Sequence, residues 1–331
     1  MHPSVPGRVA RRLPIAFCVL LSAASLGAAT ITVNDTGDAI AVDAKVTLRE
    51  AITSIMNGSN VNADVSASGT YGVADEIDFA IGSGLQAIVP GSALPTIAKK
   101  VKLDGTTQPG FAGSPLIQLQ GNLAGGTTDG LTLSNHSGSV IRGLIIILFG
   151  GDGILVRGTG GGHVIAGNWI GLTAVPGGNS GNGITIEGVA NNRIGGTVAA
   201  DRNVVSANLG HGIELSGAGA TDNLVEGNFI GLDPGGTLAR GNSSLGSGVA
   251  IDNDAGLNTI GGTAAGAGNV ISGNNTATMD GVWISAGSGN VIQGNWIGTN
   301  AAGTAGVPNA RKTPASIWLL INRTAPSHKT K

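Results

Sequence analysis

The sequence predicts an all-β fold: a right-handed parallel β-helix solenoid with a short N-terminal capping helix. Three observations predict it. A polar-Gly-apolar-x-apolar phrase recurs from residue 129 onward. A second phrase, centred on one aliphatic residue and usually led by Asn, follows each copy. Glycine is abundant, 58 of 331 residues, while aromatic and charged residues make up only 3% and 11%. Glycine at this level without a Gly-X-Y period suggests disorder, but Val, Ile and Leu recur between the glycines too regularly for a disordered chain.

The first element is a secretion signal over residues 1–29. Arg8, Arg11 and Arg12 form a basic flank, and Ile15 to Leu26 is an apolar run. That run is shorter than the roughly 20 residues a membrane span needs. Gly27-Ala28-Ala29 supplies small residues for cleavage before Thr30. These features imply a secreted or outer-surface protein with no transmembrane segment in the mature chain. Cys18, the single cysteine, lies inside the signal, so the mature chain is expected to hold no disulfide, thiolate metal site or cysteine nucleophile.

Residues 30–128 read as an N-terminal cap and the first coils. A solenoid end exposes strand edges that must be covered. Thr47-Leu48-Arg49-Glu50 reads as a capping box, with Thr47 as N-cap and Glu50 three residues on. Leu48, Ala51, Ile52 and Ile55 fall on one helical face, and Gly58 can end the helix. Arg49 and Glu50 are therefore expected to be structural.

Residues 129–310 carry the repeat. The first phrase begins at Asp129, Asp152, Asn182, His211, Ser247 and Asp280, at intervals of roughly 23 to 36 residues. The second centres on Ile165, Ile194, Val225, Ile260 and Ile292, with Asn192, Asn223, Asn258 and Asn290 leading four copies. A longer alternation brings Gly-Asn-aromatic-Ile-Gly back in every second unit, at Trp169, Phe229 and Trp296. Apolar-x-apolar runs have period two, so each is a short strand with one buried face. Strands this short are unstable as isolated hairpins. Stacked coils solve the problem: inward aliphatics pile into columns at the ~4.8 Å strand spacing, and repeated Asn residues form amide ladders. A coil re-enters in one direction, so the strands are parallel, and the general rule for parallel connections makes the hand right. Neither the phrase of a leucine-rich horseshoe nor the Trp-Asp mark of a propeller is present.

Val46-Thr47-Leu48-Arg49-Glu50-Ala51-Ile52 resembles the CSLREA domain found at the start of secreted and surface β-helix proteins of bacteria, with Val46-Thr47 in place of that motif's leading Cys-Ser. Ala93-Leu94-Pro95-Thr96-Ile97 and the stretch from Leu103 to Phe111 resemble the same family's first coils. The resemblance spans roughly residues 30–310. It implies an extracellular location and a pectin-lyase-like shape, and it implies no particular reaction.

Residues 30–310 hold all 20 acidic side chains against ten basic ones. A body this acidic has no footprint for nucleic acid, and it suits polyanionic glycans poorly unless a cation mediates. Candidate catalytic residues are few. Gly210-His211-Gly212 resembles the histidine motif of polygalacturonases, but the paired Asp-Asp of that family is missing, and His211 fills the turn slot of the repeat. Arg157, Glu187, Glu214 and Asp252 are expected outward on neighbouring coils, a constellation able to hold a cation or move a proton. Asp129, Asp152 and Asp280 allow a Ca²⁺ ladder, against which stand ordinary Asx-Gly turns. No other cofactor or metal site is expected. Trp169, Phe229 and Trp296 alternate with inward Ile and are expected to point outward, where an aromatic row can stack on sugar rings; the alternative is burial under the loops that follow.

After Ala310 the composition, charge and period change together. Residues 311–331 form an atypical basic tail, read either as a break in the natural repeat array, such as a shift of reading frame, or as a genuine tail. The chain is thus expected to present a repetitive face to a polysaccharide or cell-surface glycan. A polysaccharide lyase or glycoside hydrolase is the rival, and a purely structural stalk the third reading.

Overall fold

A computed structural model describes residues 27–172, 177–242, 246–274 and 280–309. The expected signal segment up to residue 26 and the basic tail lie outside these. The described chain is a parallel β-helix. Three parallel sheets run its length: nine strands from Thr30–Val33 to Val291–Gln293, eight from Gln86–Ile88 to Trp296–Ile297, and six from Leu131–Ser137 to Val282–Ile284. One coil takes a strand from each in turn. Arg193–Gly195 lies in the nine-stranded sheet, Val204–Val205 in the eight-stranded sheet, and Ile213–Ser216 in the six-stranded sheet.

The registers are in step, so the repeat becomes columns. Ile154, Ile184, Ile213 and Val249 are direct neighbours in the six-stranded sheet, as are Ile141, Ile165, Ile194, Val225 and Ile260 in the nine-stranded one. All of these side chains are fully buried. Each stabilises the fold by about 1.5–3 kcal/mol through burial.

The polar columns are as continuous as the apolar ones. Ser139, His163, Asn192, Asn223, Asn258 and Asn290 stack where the chain enters the nine-stranded sheet. Each Asn Oδ1 accepts the backbone N–H of the residue one coil earlier, at 2.9–3.0 Å. His163 Nδ1 does the same for Ser139, at 3.2 Å. A second ladder, Asn168, Asn203, Asn228, Asn269 and Asn295, fills the corner into the eight-stranded sheet. A third, Asn179, Asn208, Asn242, Asn274 and Asn309, lies where the chain leaves it. Buried amides must be satisfied, and here each is satisfied by its counterpart in the next coil. The spacing made only the first ladder explicit.

The cap forms as the sequence predicts. The helix is Leu48–Asn57, both halves of the capping box are made at Thr47 and Glu50, and Gly58 closes it in the left-handed region at φ 72°. Leu48, Ala51, Ile52 and Ile55 are buried in the core. Glu50 accepts from the backbone N–H of Ala41 and from Asn62 Nδ2. Arg49 forks onto Asp38 with two 2.9 Å contacts and donates to the carbonyls of Ser92 and Ala93. Both residues thus tie the cap to neighbouring loops. Ala29, just before the expected cleavage point, is buried and donates its N–H to the Thr70 carbonyl at 3.1 Å.

Candidate functional site

Two regions gather the chemistry-bearing side chains. The first is the outward face of the six-stranded sheet. Registers place Leu155, Thr185, Glu214, Ala250 and Trp283 in one column, and Arg157, Glu187, Ser216 and Asp252 in the next. The four expected charges therefore share the face, but Glu214 stands one column away from Arg157, Glu187 and Asp252. Arg157 and Glu187 are exposed neighbours; Glu214 and Asp252 are half-buried.

Glu214 is the most perturbed carboxyl there. Its pKa is pushed up to about 7, first by burial, then by the negative charges of Asp252 and Asp152. Asn182 Nδ2 donates to it at 2.7 Å and opposes that rise. Burial likewise raises Asp152, and the charges of Asp129 and Glu187 add to it.

The turn column beside this face explains His211 and the aspartates. Asp129 Oδ1 accepts the N–H of Asp152 at 2.8 Å, Asp152 Oδ1 that of Asn182 at 2.7 Å, and Asn182 Oδ1 that of His211 at 2.6 Å. His211 Nδ1 then accepts from Ser247 at 2.9 Å. His211 also stacks on Trp283, with centroids 6.0 Å apart and planes 6° from parallel. Burial is the main cause that lowers its pKa. These are Asx-Gly turns linked from coil to coil. Among the described residues no group of three or more His, Cys, Asp or Glu is placed to hold a metal ion. Asp129 and Asp152 each commit one carboxylate oxygen to the backbone of the next coil.

The second region is a cleft at the corner between the nine- and eight-stranded sheets. It arises from unequal corner lengths. Two successive coils cross this corner in one or two residues, Gly143 in one and Gly167-Asn168 in the next. The coil before them makes a long excursion over residues 105–116, and the coil after them another over 196–203. The long loops become walls and the short corners the floor between. The cleft encloses about 200 Å³. Its lining includes Trp169 and Val204 on the sheet, Phe111 and Ser114 on one loop, Ala199, Ala200 and Arg202 on the other, and Arg142 at the end of its strand.

Trp169 and Phe229 point away from the tube, as expected, but they differ in cover. Phe229 is only 6% exposed, packed with Leu172, Val204, Leu232 and Val270 in a small core outside the solenoid. The Arg202 guanidinium lies 4.1 Å above its ring. Trp296, in the last described coil, is 50% exposed. Trp169 is half-buried and lines the cleft. The three residues therefore do not form one open row, because loops that follow the aromatic phrase fold back over its middle member.

Arg142 and Arg202 were not marked as site residues by the sequence. Their signal lay in the corner lengths: two tight corners in succession, Gly143 and Gly167-Asn168, lie between loop-bearing coils, whereas Gly227-Asn228 is a single tight corner between such coils. Among the described residues no helix is long and apolar enough to cross a membrane.

No protein-family model matches the chain, and no curated protein matches its sequence. The CSLREA resemblance therefore rests on residues 46–52, the first-coil phrases and the Gly-Asn-aromatic-Ile-Gly repeats.

Proposed function

We propose that this chain is an exported or cell-surface β-helix protein of the CSLREA kind that binds a glycan and serves attachment rather than turnover. The observation that carries this reading is Trp169 on the floor of a cleft of about 200 Å³. Ligand sites are concave and combine apolar surface with a few fixed polar groups. A sugar ring has an apolar face and a polar edge, which an indole and neighbouring hydroxyl or guanidinium groups match. Thr106, Ser114, Arg142 and Arg202 supply the polar part.

The test is retention of the mature protein on a panel of neutral and acidic polysaccharides, with and without Ca²⁺, together with tryptophan fluorescence. Retention on at least one polysaccharide, lost in Trp169→Leu, is the expected result. No retention on any member, with fluorescence unchanged, refutes the reading.

A second reading, a polysaccharide hydrolase or lyase, is favoured by one observation. The Glu214 carboxyl, raised to about 7 and influenced by Asp252, is poised to move a proton near neutral pH. New reducing or unsaturated sugar ends, absent with Glu214→Gln, would support it. Absence of such ends across the panel would remove it.

A further inference from the structure

We infer that the cleft at Trp169 selects a sugar that carries a carboxylate, a uronic acid residue within an otherwise neutral or weakly charged glycan. This inference rests on the glycan-binding reading and adds the chemical class of the ligand.

Charge is the starting point. The solenoid body is acidic throughout, ten acidic side chains in excess over residues 30–310. Among the described residues the lining of the cleft has no acidic side chain and two arginines, Arg142 and Arg202. A cationic pocket in an anionic body is a local reversal, and at physiological salt the remote acids are screened beyond about 8 Å.

Neither guanidinium is used up by its contacts within the fold. Arg202 forms no salt bridge among the described residues. Its Nε donates to the Gly227 carbonyl at 3.1 Å, and its guanidinium rests on Phe229. Nearby Asp201 lies 3.5 Å from Arg193, which also approaches Glu226 at 3.8 Å. Arg142 Nε is buried without a hydrogen-bond partner. The carboxylate closest to it, Asp104, is 3.7 Å away. Asp104 is already held by Lys102 Nζ at 2.9 Å and by the Thr106 N–H at 3.0 Å. Burial lowers the pKa of Arg202, yet a guanidinium stays protonated in proteins.

The chemistry follows from shape. A guanidinium presents planar paired donors that match a carboxylate. Trp169 gives the ring a surface to lie on, and Arg142 and Arg202 take the carboxylate at its edge. A long polyanion is disfavoured by the acidic body, so recognition is of one acidic sugar rather than of a continuous run.

The experiment is titration calorimetry of the mature protein with three probes: trigalacturonate, its methyl ester and galactotriose. Trigalacturonate is expected to bind about tenfold more tightly than either neutral probe, and more weakly as salt is raised. Arg142→Gln, which removes no existing hydrogen bond, is expected to erase that preference and leave circular dichroism unchanged. Arg202→Lys, which keeps the charge without the fork, is expected to reduce it. Equal binding of all three probes overturns the carboxylate inference and leaves glycan binding standing. A preference that survives Arg142→Gln and Arg202→Lys together also overturns it, because the acid is then read elsewhere. Failure of all three probes to bind overturns the carboxylate inference, while the glycan-binding reading stands or falls on retention across the polysaccharide panel.

Discussion

Asn223→Ala tests the claim that amide ladders hold successive coils together. Asn223 is 1% exposed and stands in the middle of its column. Its Oδ1 accepts both the backbone N–H of Asn192 at 2.9 Å and Asn192 Nδ2 at 2.8 Å. Its Nδ2 donates to the Val189 carbonyl at 3.1 Å and to Asn258 Oδ1 at 3.0 Å. Alanine removes all four bonds and leaves buried donors of Asn192 facing a gap. A net hydrogen bond is worth about 1 kcal/mol, so the four lost bonds cost about 4, and the orphaned backbone donor of Asn192 adds about 1–3, about 5–7 kcal/mol in all. Urea unfolding measures it, with Asn57→Ala as the control: Asn57 is exposed at the end of the cap helix, where such a change stays within about 0.5 kcal/mol. Hydrogen exchange should show the Asn192 and Leu224 amides losing protection first. A cost below about 1 kcal/mol, indistinguishable from the control, would refute the claim that the ladders bind coil to coil.

His163 occupies the ladder slot that Asn fills in later coils, with its pKa lowered to about 4 by burial and by His136, whose ring is 4.7 Å away. The unfolded chain therefore binds the extra proton between about pH 6.5 and 4, so stability present above that window is lost as pH falls through it, by at most about 3 kcal/mol. His163→Asn should flatten this acid limb in pH-dependent melting; an unchanged limb would contradict the assignment. Glu214 has the opposite sign. With its pKa raised from 4.5 to about 7, the folded state holds the extra proton, so stability declines as pH rises from about 4.5 to 7. Discounted for partial exposure, the decline is about 1–2 kcal/mol, and Glu214→Gln should remove it. Gly212→Ala should cost several kcal/mol or prevent folding, because a Cβ there would lie 2.5 Å from the Gly248 carbonyl oxygen and 2.7 Å from Asn242 Nδ2; a melting temperature within a degree or two of the parent would show that coils separate more easily than their packing implies.

The fold was legible because the code of a solenoid is local and repeated. Ile154, Ile184, Ile213 and Val249 could be aligned by eye before any register was known, since identical phrases stack on identical phrases. The cap was legible for a related reason: a capping box, one apolar face and a closing glycine all lie within a dozen residues. His211 was readable as a turn residue from its slot alone. The candidate site was only half legible. Phe229 and Trp296 share a phrase with Trp169, yet one is covered and one exposed, because cover comes from loops and neighbouring coils that the phrase does not contain.

The sequence by itself determined the period, the inward aliphatic columns, the helical lid and the acidic character of the body, all consequences of short-range pattern and of burying apolar side chains. Only the tertiary structure decided that Arg142, Trp169 and Arg202 line one cleft. The physical reason is that coils that look alike in sequence differ in the length of their corners, and what covers or flanks an outward side chain depends on the loops of the coils around it.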